Sequence, residues 1–164
     1  MDSPQLYRRR SLLNNYNEHG QTALLSAICG NHFEICQLLI DHGADINLPQ
    51  QMSKQTPLIL AIEHGYDDIV KLLVDHEADV QICDNVGITP LYVAIKGRNE
   101  VIIQWLLEAE CDVNIGSQDH APLFLATRTG QLNIVKVYHG THLLYIPSHN
   151  MVISKLVLTI MMLL

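Results

Sequence analysis

The amino-acid sequence predicts an all-α protein: a solenoid of helix–turn–helix–loop units, about three full repeats with partial repeats at its ends. Three columns of residues predict it. Leu24, Leu58, Leu91 and Leu123 are separated by 34, 33 and 32 residues, and Ala27, Ala61, Ala94 and Ala126 keep the same spacing. So do Ile35, Ile69, Ile102 and Ile134. One period of about 33 residues shared by independent columns is an internal repeat, with one supersecondary unit per period.

The first unit shows how each element arises. Leu24, Ala27 and Ile28 stand at i, i+3 and i+4, one face of a helix. Gly30-Asn31 interrupts it with residues that readily take positive φ. Ile35, Leu38 and Leu39 repeat the helical spacing, which predicts a second helix with these three on its apolar stripe. His42-Gly43 ends that helix, and ADIN (44–47) is expected to lead out in extended form. Neither helix is long enough to persist alone in water, where fewer than about 12 residues are marginal. Each leaves apolar surface that its own unit does not cover, so stacking of units is required.

Several phrases recur in phase: GITPLYVAI (87–95), TPLILAIEHGYDDIVKLLVDHEADV (56–80) and GNHFEICQLLIDHGADIN (30–47). They resemble the ankyrin repeat, whose pattern is roughly G-x-T-P-L-H-x-A, G-H at the turn, I-V-x-L-L-L, then G-A-D-V-N. The resemblance spans about residues 14–137. It divides the chain into an N-terminal segment 1–16, repeats at 17–49, 51–83 and 84–114, a partial fourth repeat at 115–137 and a divergent apolar tail at 138–164. SLLN (11–14) falls where a preceding unit would carry ADVN, so residues 4–14 read as a remnant capping half-repeat. Thr is expected to cap the first helix of each unit and Pro to occupy its first position.

The chain also departs from that pattern. The family histidine after TPL is replaced by Leu25, Ile59, Tyr92 and Phe124. A looser turn is expected there, by roughly 0.5–1.5 kcal/mol per lost bond. Ala23 stands for Pro in the first unit and Ala121 for the capping Thr in the fourth. Glu77 and Glu110 stand where Gly should end the second helix, and Lys54 replaces the turn Gly after a one-residue insertion. A non-Gly residue at positive φ costs about 1 kcal/mol.

Composition narrows the function classes. The 164 residues are 48% hydrophobic and carry a formal net charge of −7. That supports a buried core. With Arg8-Arg9-Arg10 the only basic cluster, it argues against nucleic-acid binding. MDSPQLYRRR has no apolar stretch after a charged start, so no leader is expected. Four cysteines without CxxC pairing suggest reduced thiols in the cytoplasm, with the nucleus as the alternative. No phosphate-binding glycine loop, zinc-ligand spacing or catalytic constellation is readable, so no enzyme activity, cofactor or metal is expected. Asp67-Asp68 suits a helix start. His42 and His76 share an exposed column, and Cys36 reads as a small buried residue.

What remains is a binding surface, and a monomer that captures a protein partner is expected. In ankyrin proteins the partner meets the hairpin tips and the inner face of the first helices. By column this implicates Glu18, His19 and Gln21 at the first tip, Met52, Ser53 and Gln55 at the second, and Asn85, Val86 and Ile88 at the third. Glu63, His64 and Lys96 are the helix positions. Met52, Val86 and Ile88, with Tyr92 nearby, form a candidate apolar patch whose competing explanation is self-packing of adjacent tips. Ser11 after three arginines resembles a basophilic kinase site. Asn47 and Asn114 resemble ankyrin asparagines hydroxylated by a 2-oxoglutarate-dependent oxygenase, or simply bond across the hairpin.

Two alternative functions follow from the end of the chain. GITPLYVAI and APLFLAT have the flavour of substrate-recruiting ubiquitin-ligase subunits whose ankyrin repeats precede a SOCS box, but no such box is readable in 138–164. The tail, ending in KLVLTIMMLL, offers a membrane-tethered adaptor instead. Residues 151–164 fall short of the roughly 20 needed to span a bilayer. Extension back to Leu143 encloses Pro147, Ser148, His149, Asn150 and Lys155. A foreign ending, a substitute capping helix and a membrane-associating tail are the three readings of this segment.

Overall fold

The computed structural model describes residues 12–117 and 120–130. Seven helices and no strands occur among them. They are α1 (Ala23–Cys29), α2 (Phe33–Asp41), α3 (Pro57–His64), α4 (Asp67–Asp75), α5 (Pro90–Gly97), α6 (Glu100–Glu108) and α7 (Pro122–Arg128). None exceeds nine residues. Their persistence comes from stacking, in two rows: α1, α3, α5 and α7 follow one another, while α2, α4 and α6 form a second row beside them. One hydrophobic cluster runs through the stack from Leu24 to Ala126.

Local chemistry sets each unit's start. The hydroxyls of Thr22, Thr56 and Thr89 accept from the backbone N–H of Leu25, Ile59 and Tyr92 at 3.3, 3.2 and 3.1 Å. Proline follows in α3 and α5, where a missing N–H leaves nothing unsatisfied. Ala121 has no such capping bond in the fourth unit, as its side chain requires. The turns between paired helices place Asn31, Gly65 and Arg98 at positive φ, and Gly130 takes it after α7. Asn31 rather than Gly30 takes the left-handed conformation, and Arg98 takes it rather than Gly97. The second helices end at Gly43, Glu77 and Glu110 with φ of 87°, 60° and 56°, so the two glutamates hold the strained conformation expected of them.

Two expectations are corrected. The ADIN segment is not extended. Asp45 Oδ1 accepts from Asn47 N at 2.9 Å, an Asx turn that Asp79 and Asp112 repeat with Gln81 and Asn114 at 2.8 Å each. The column of the missing family histidine is filled by apolar side chains, buried in the first three units and half-buried at Phe124 in the fourth. Leu25 and Ile59 are fully buried there and Tyr92 is 9% exposed. Burying such a side chain contributes about 1.5–3 kcal/mol, enough to offset the lost hydrogen bond. Finally, Ile35 and Leu38 are 48% and 58% exposed, whereas their counterparts Ile69 and Leu72 are buried. In the first unit these two positions lack, among the described residues, the cover they have in the second.

Candidate protein-interaction surface

The loops between units fold into tips closed by one hydrogen-bonding scheme. Asn17 Oδ1 accepts from His19 N and Gln21 N at 2.9 and 3.0 Å, and Asp84 Oδ1 accepts from Val86 N and Ile88 N at 2.9 and 2.8 Å. Gln50 replaces them in the second tip, where its amide oxygen accepts from Ser53 Oγ at 3.0 Å across the longer loop. Adjacent tips are bonded to each other. Gln51 N donates to Gly20 O at 3.0 Å, Asn85 N to Ser53 O at 3.1 Å and Asn85 Nδ2 to Met52 O at 3.3 Å. Glycine is required at Gly20 and Gly87. Both have positive φ, and a Cβ there would stand 3.0 Å from Gln51 Cβ and 2.9 Å from Ser117 Cβ.

On this frame the predicted residues separate. Met52 and Val86 project from neighbouring tips at 81% and 53% exposure. Ile88 is half-buried and packed against the core, and Tyr92 lies within the core with its ring edge-on to His120 at 5.2 Å. Of the four predicted apolar residues, Met52 and Val86 are thus the exposed ones, Ile88 is partly covered and Tyr92 belongs to the core. Asn85 and Ser53 serve the ladder between tips, so their polar atoms are partly committed to the fold.

Beside the tips, the exposed edge of the first helices carries the remaining candidates. Gln55 Nε2 donates to Glu63 Oε2 at 2.8 Å, which tethers tip to helix. His64 Nδ1 donates to Leu60 O at 2.8 Å, and its ring lies 5.4 Å from Tyr66. Lys96 is exposed at the position Glu63 holds one unit earlier, and exposed Arg128 follows one unit later, its guanidinium 5.9 Å from the Phe124 ring. The charge along this edge changes from negative to positive across the stack.

The modification candidates differ in environment. Asn47 is half-buried, with Oδ1 accepting from Asp79 N at 2.8 Å. Asn114 is exposed, and among the described residues its side chain donates to Asp112 Oδ1, at 3.2 Å. Ser11, the second helix of the fourth unit and the 138–164 tail lie outside the described residues.

Two features went unread in the sequence. A groove of about 610 Å³ runs between the second and third units on the second-helix side, bounded by Trp105, Lys71, Asp75, Asp79, Glu108 and Glu110. Lys71 sits over the Trp105 ring at 5.7 Å and pairs with Asp75. The signal was a lone Trp in a column otherwise filled by Leu38 and Leu72. The second is the exposed apolar face of α2.

The thiols are unpaired: Cys36 and Cys111 are buried, Cys83 is half-buried and Cys29 exposed. Burial pushes the Cys36 thiol up to about 11. Burial, then the neighbouring Asp112 carboxylate, pushes Cys111 up to about 12. Both are the reverse of an activated nucleophile. Among the described residues no group of three or more His, Cys, Asp or Glu side chains converges as a metal site would require. No helix among them is long and apolar enough to cross a membrane.

A family model for ankyrin repeats (3 copies) matches residues 6–84 and 77–142. No curated protein matches the chain.

Proposed function

Because the chain belongs to the ankyrin repeat family, whose members are protein-interaction folds, we propose that it is a non-enzymatic adaptor. It captures one protein partner with the tips of its second and third units and the adjoining edge of the first helices. The observation that carries this is the pair Met52 and Val86, large apolar side chains 81% and 53% exposed on tips held rigid by the Asn85 hydrogen bonds. Apolar side chains on a preordered frame lose little entropy on binding and anchor interfaces well. Glu63, His64 and Lys96 flank them as a polar rim that fixes orientation. The protein acts as a monomer. The unpaired thiols support a reducing compartment, and we place it in the cytoplasm, or the nucleus if the partner resides there.

The test is affinity capture with the full chain, comparing Met52→Glu/Val86→Glu with a control, Val101→Glu, on the second-helix side. Val101 is equally exposed at 53%. Loss of a partner with the tip variant but not with the control supports the reading. Equal capture by both, with unchanged helicity, sinks it.

A further inference from the structure

Columns that agree elsewhere in the repeat diverge together at the junction of the second and third units. Trp105, half-buried and the chain's single tryptophan, stands in the column of Leu38 and Leu72. Ala109 ends α6 where His42 and His76 end α2 and α4. Glu77 and Glu110 occupy the column of Gly43. The loss of the histidine matters most. His76 Nδ1 donates to Leu72 O at 2.9 Å, and its Nε2 stands 4.0 Å from Asp41 Oδ1, so an imidazole of the second unit faces an acid of the first. Asp75 is the counterpart of Asp41, and the third unit puts the methyl group of Ala109 where that imidazole would be. The groove of about 610 Å³ lies here, with Asp75, Glu77, Asp79, Glu108 and Glu110 along its walls. Among the described residues that line it, Lys71 is the one cation.

We propose that this groove binds an arginine-bearing basic segment of a partner protein, in a contact separate from the tips. Lys71 marks where the guanidinium goes. Its ammonium lies 5.7 Å from the centre of the Trp105 ring and pairs with Asp75, so an aromatic face beside a carboxylate already holds a cation of the chain's own. That hold is weak. The Lys71 and Asp75 side chains are 46% and 54% exposed, and pairs so exposed contribute about 0–1 kcal/mol. A guanidinium stacks flat on an indole and takes a carboxylate through two parallel hydrogen bonds, which an ammonium cannot do, so it displaces Lys71. Further carboxylates along the walls receive neighbouring cations, and α4 and α6 both end at the groove, where their negative dipole ends add to the attraction. The walls are set before binding. Gln81 Nε2 donates to Glu110 O at 3.1 Å while Gln81 Oε1 accepts from Asp112 N at 2.8 Å, which ties the two units together and limits the ordering cost. Among the described residues no three acidic or imidazole groups converge as a metal ion requires. Carboxylates spread along a trough beside an aromatic ring fit an extended cationic side chain instead.

Titration of the full chain with an Arg-Gly-Arg-Gly-Arg peptide tests this, read by the emission of Trp105, the chain's single tryptophan, and, with a labelled peptide, by anisotropy. Saturable binding that weakens as salt rises is expected. Trp105→Leu and Ala109→His, which restore the residues of the other units, are each expected to weaken binding of the labelled peptide about tenfold. Lys71→Ala removes the competing cation and should strengthen binding about threefold. Glu108→Gln/Glu110→Gln should weaken it about tenfold, whereas Glu18→Gln/Glu34→Gln, the same change of net charge in the first unit, should leave it unchanged. Absence of saturable binding overturns the proposal. So does equal weakening by the two glutamate pairs, which would leave only bulk charge attraction. Unchanged or weaker binding in Lys71→Ala overturns it as well, because Lys71 would then not hold the place of the guanidinium.

Discussion

The side-chain oxygen of Asn47 accepts the backbone N–H of Asp79 at 2.8 Å, 32 residues further along the chain. It is one rung of a ladder, Asn14 to Asp45, Asn47 to Asp79 and Gln81 to Asp112, that ties each unit to the next where the core does not reach. Asn47→Ala removes the acceptor and leaves the Asp79 N–H to water. The expected loss is about 1 kcal/mol, read as a lower urea midpoint at unchanged slope.

The same rung bears on modification. The Asn47 amide is engaged between units, whereas Asn114 is exposed and, among the described residues, bonded within its own turn. Incubated with an asparaginyl 2-oxoglutarate-dependent oxygenase, the folded chain is expected to gain oxygen at Asn114 before Asn47. Peptide mass spectrometry reads the order, and prior modification of Asn47 would contradict it.

Glu77 and Glu110 hold φ of 60° and 56° at the ends of α4 and α6. Glycine suits that conformation at the expense of extra freedom in the unfolded chain. Glu77→Gly and Glu110→Gly are each expected to stabilise by about 0.5–1 kcal/mol, seen as a higher melting temperature. Glu77→Ala, which keeps a Cβ, should not reproduce the gain.

The capping threonines set a second scale. Thr89→Ala removes the acceptor for Tyr92 N and is expected to cost about 1 kcal/mol. Ala121, at φ −69° and ψ 124°, already has the extended backbone of a cap. Ala121→Thr should recover a comparable amount in the fourth unit. Chemical denaturation of the two variants beside the parent checks both signs.

Cys36 and Cys111 release their protons only near pH 11 and 12 when folded, against an ordinary value of about 9. Above pH 9 the unfolded chain loses these protons while the folded chain retains them, so stability falls as pH rises through that window. The melting temperature is expected to decline from pH 9 toward pH 11, and Cys36→Ala/Cys111→Ala to flatten that decline. At neutral pH an alkylating reagent should modify exposed Cys29 ahead of these two.

Legibility followed the range of each interaction. The paired helices, the Thr caps at Thr22, Thr56 and Thr89, and the strained ends at Glu77 and Glu110 rest on bonds and torsions within a few residues. They could be read from single phrases of the repeat. The candidate surface was legible only in outline. Met52 and Val86 stand out on the tips, but Tyr92 turned inward because its column is a buried one, with Leu25 and Ile59 as its counterparts. Spacing alone gives a residue's column, not what lies across from it.

Ile35 and Ile69 mark the division most clearly. The sequence by itself determined that both sit at the same position of the same helix, because period and helical spacing are properties of one chain segment. Only the tertiary structure decided that Ile69 is fully buried and Ile35 48% exposed. Burial belongs to the pair of units that meet at a residue, and a repeated phrase says nothing about whether its neighbour is there.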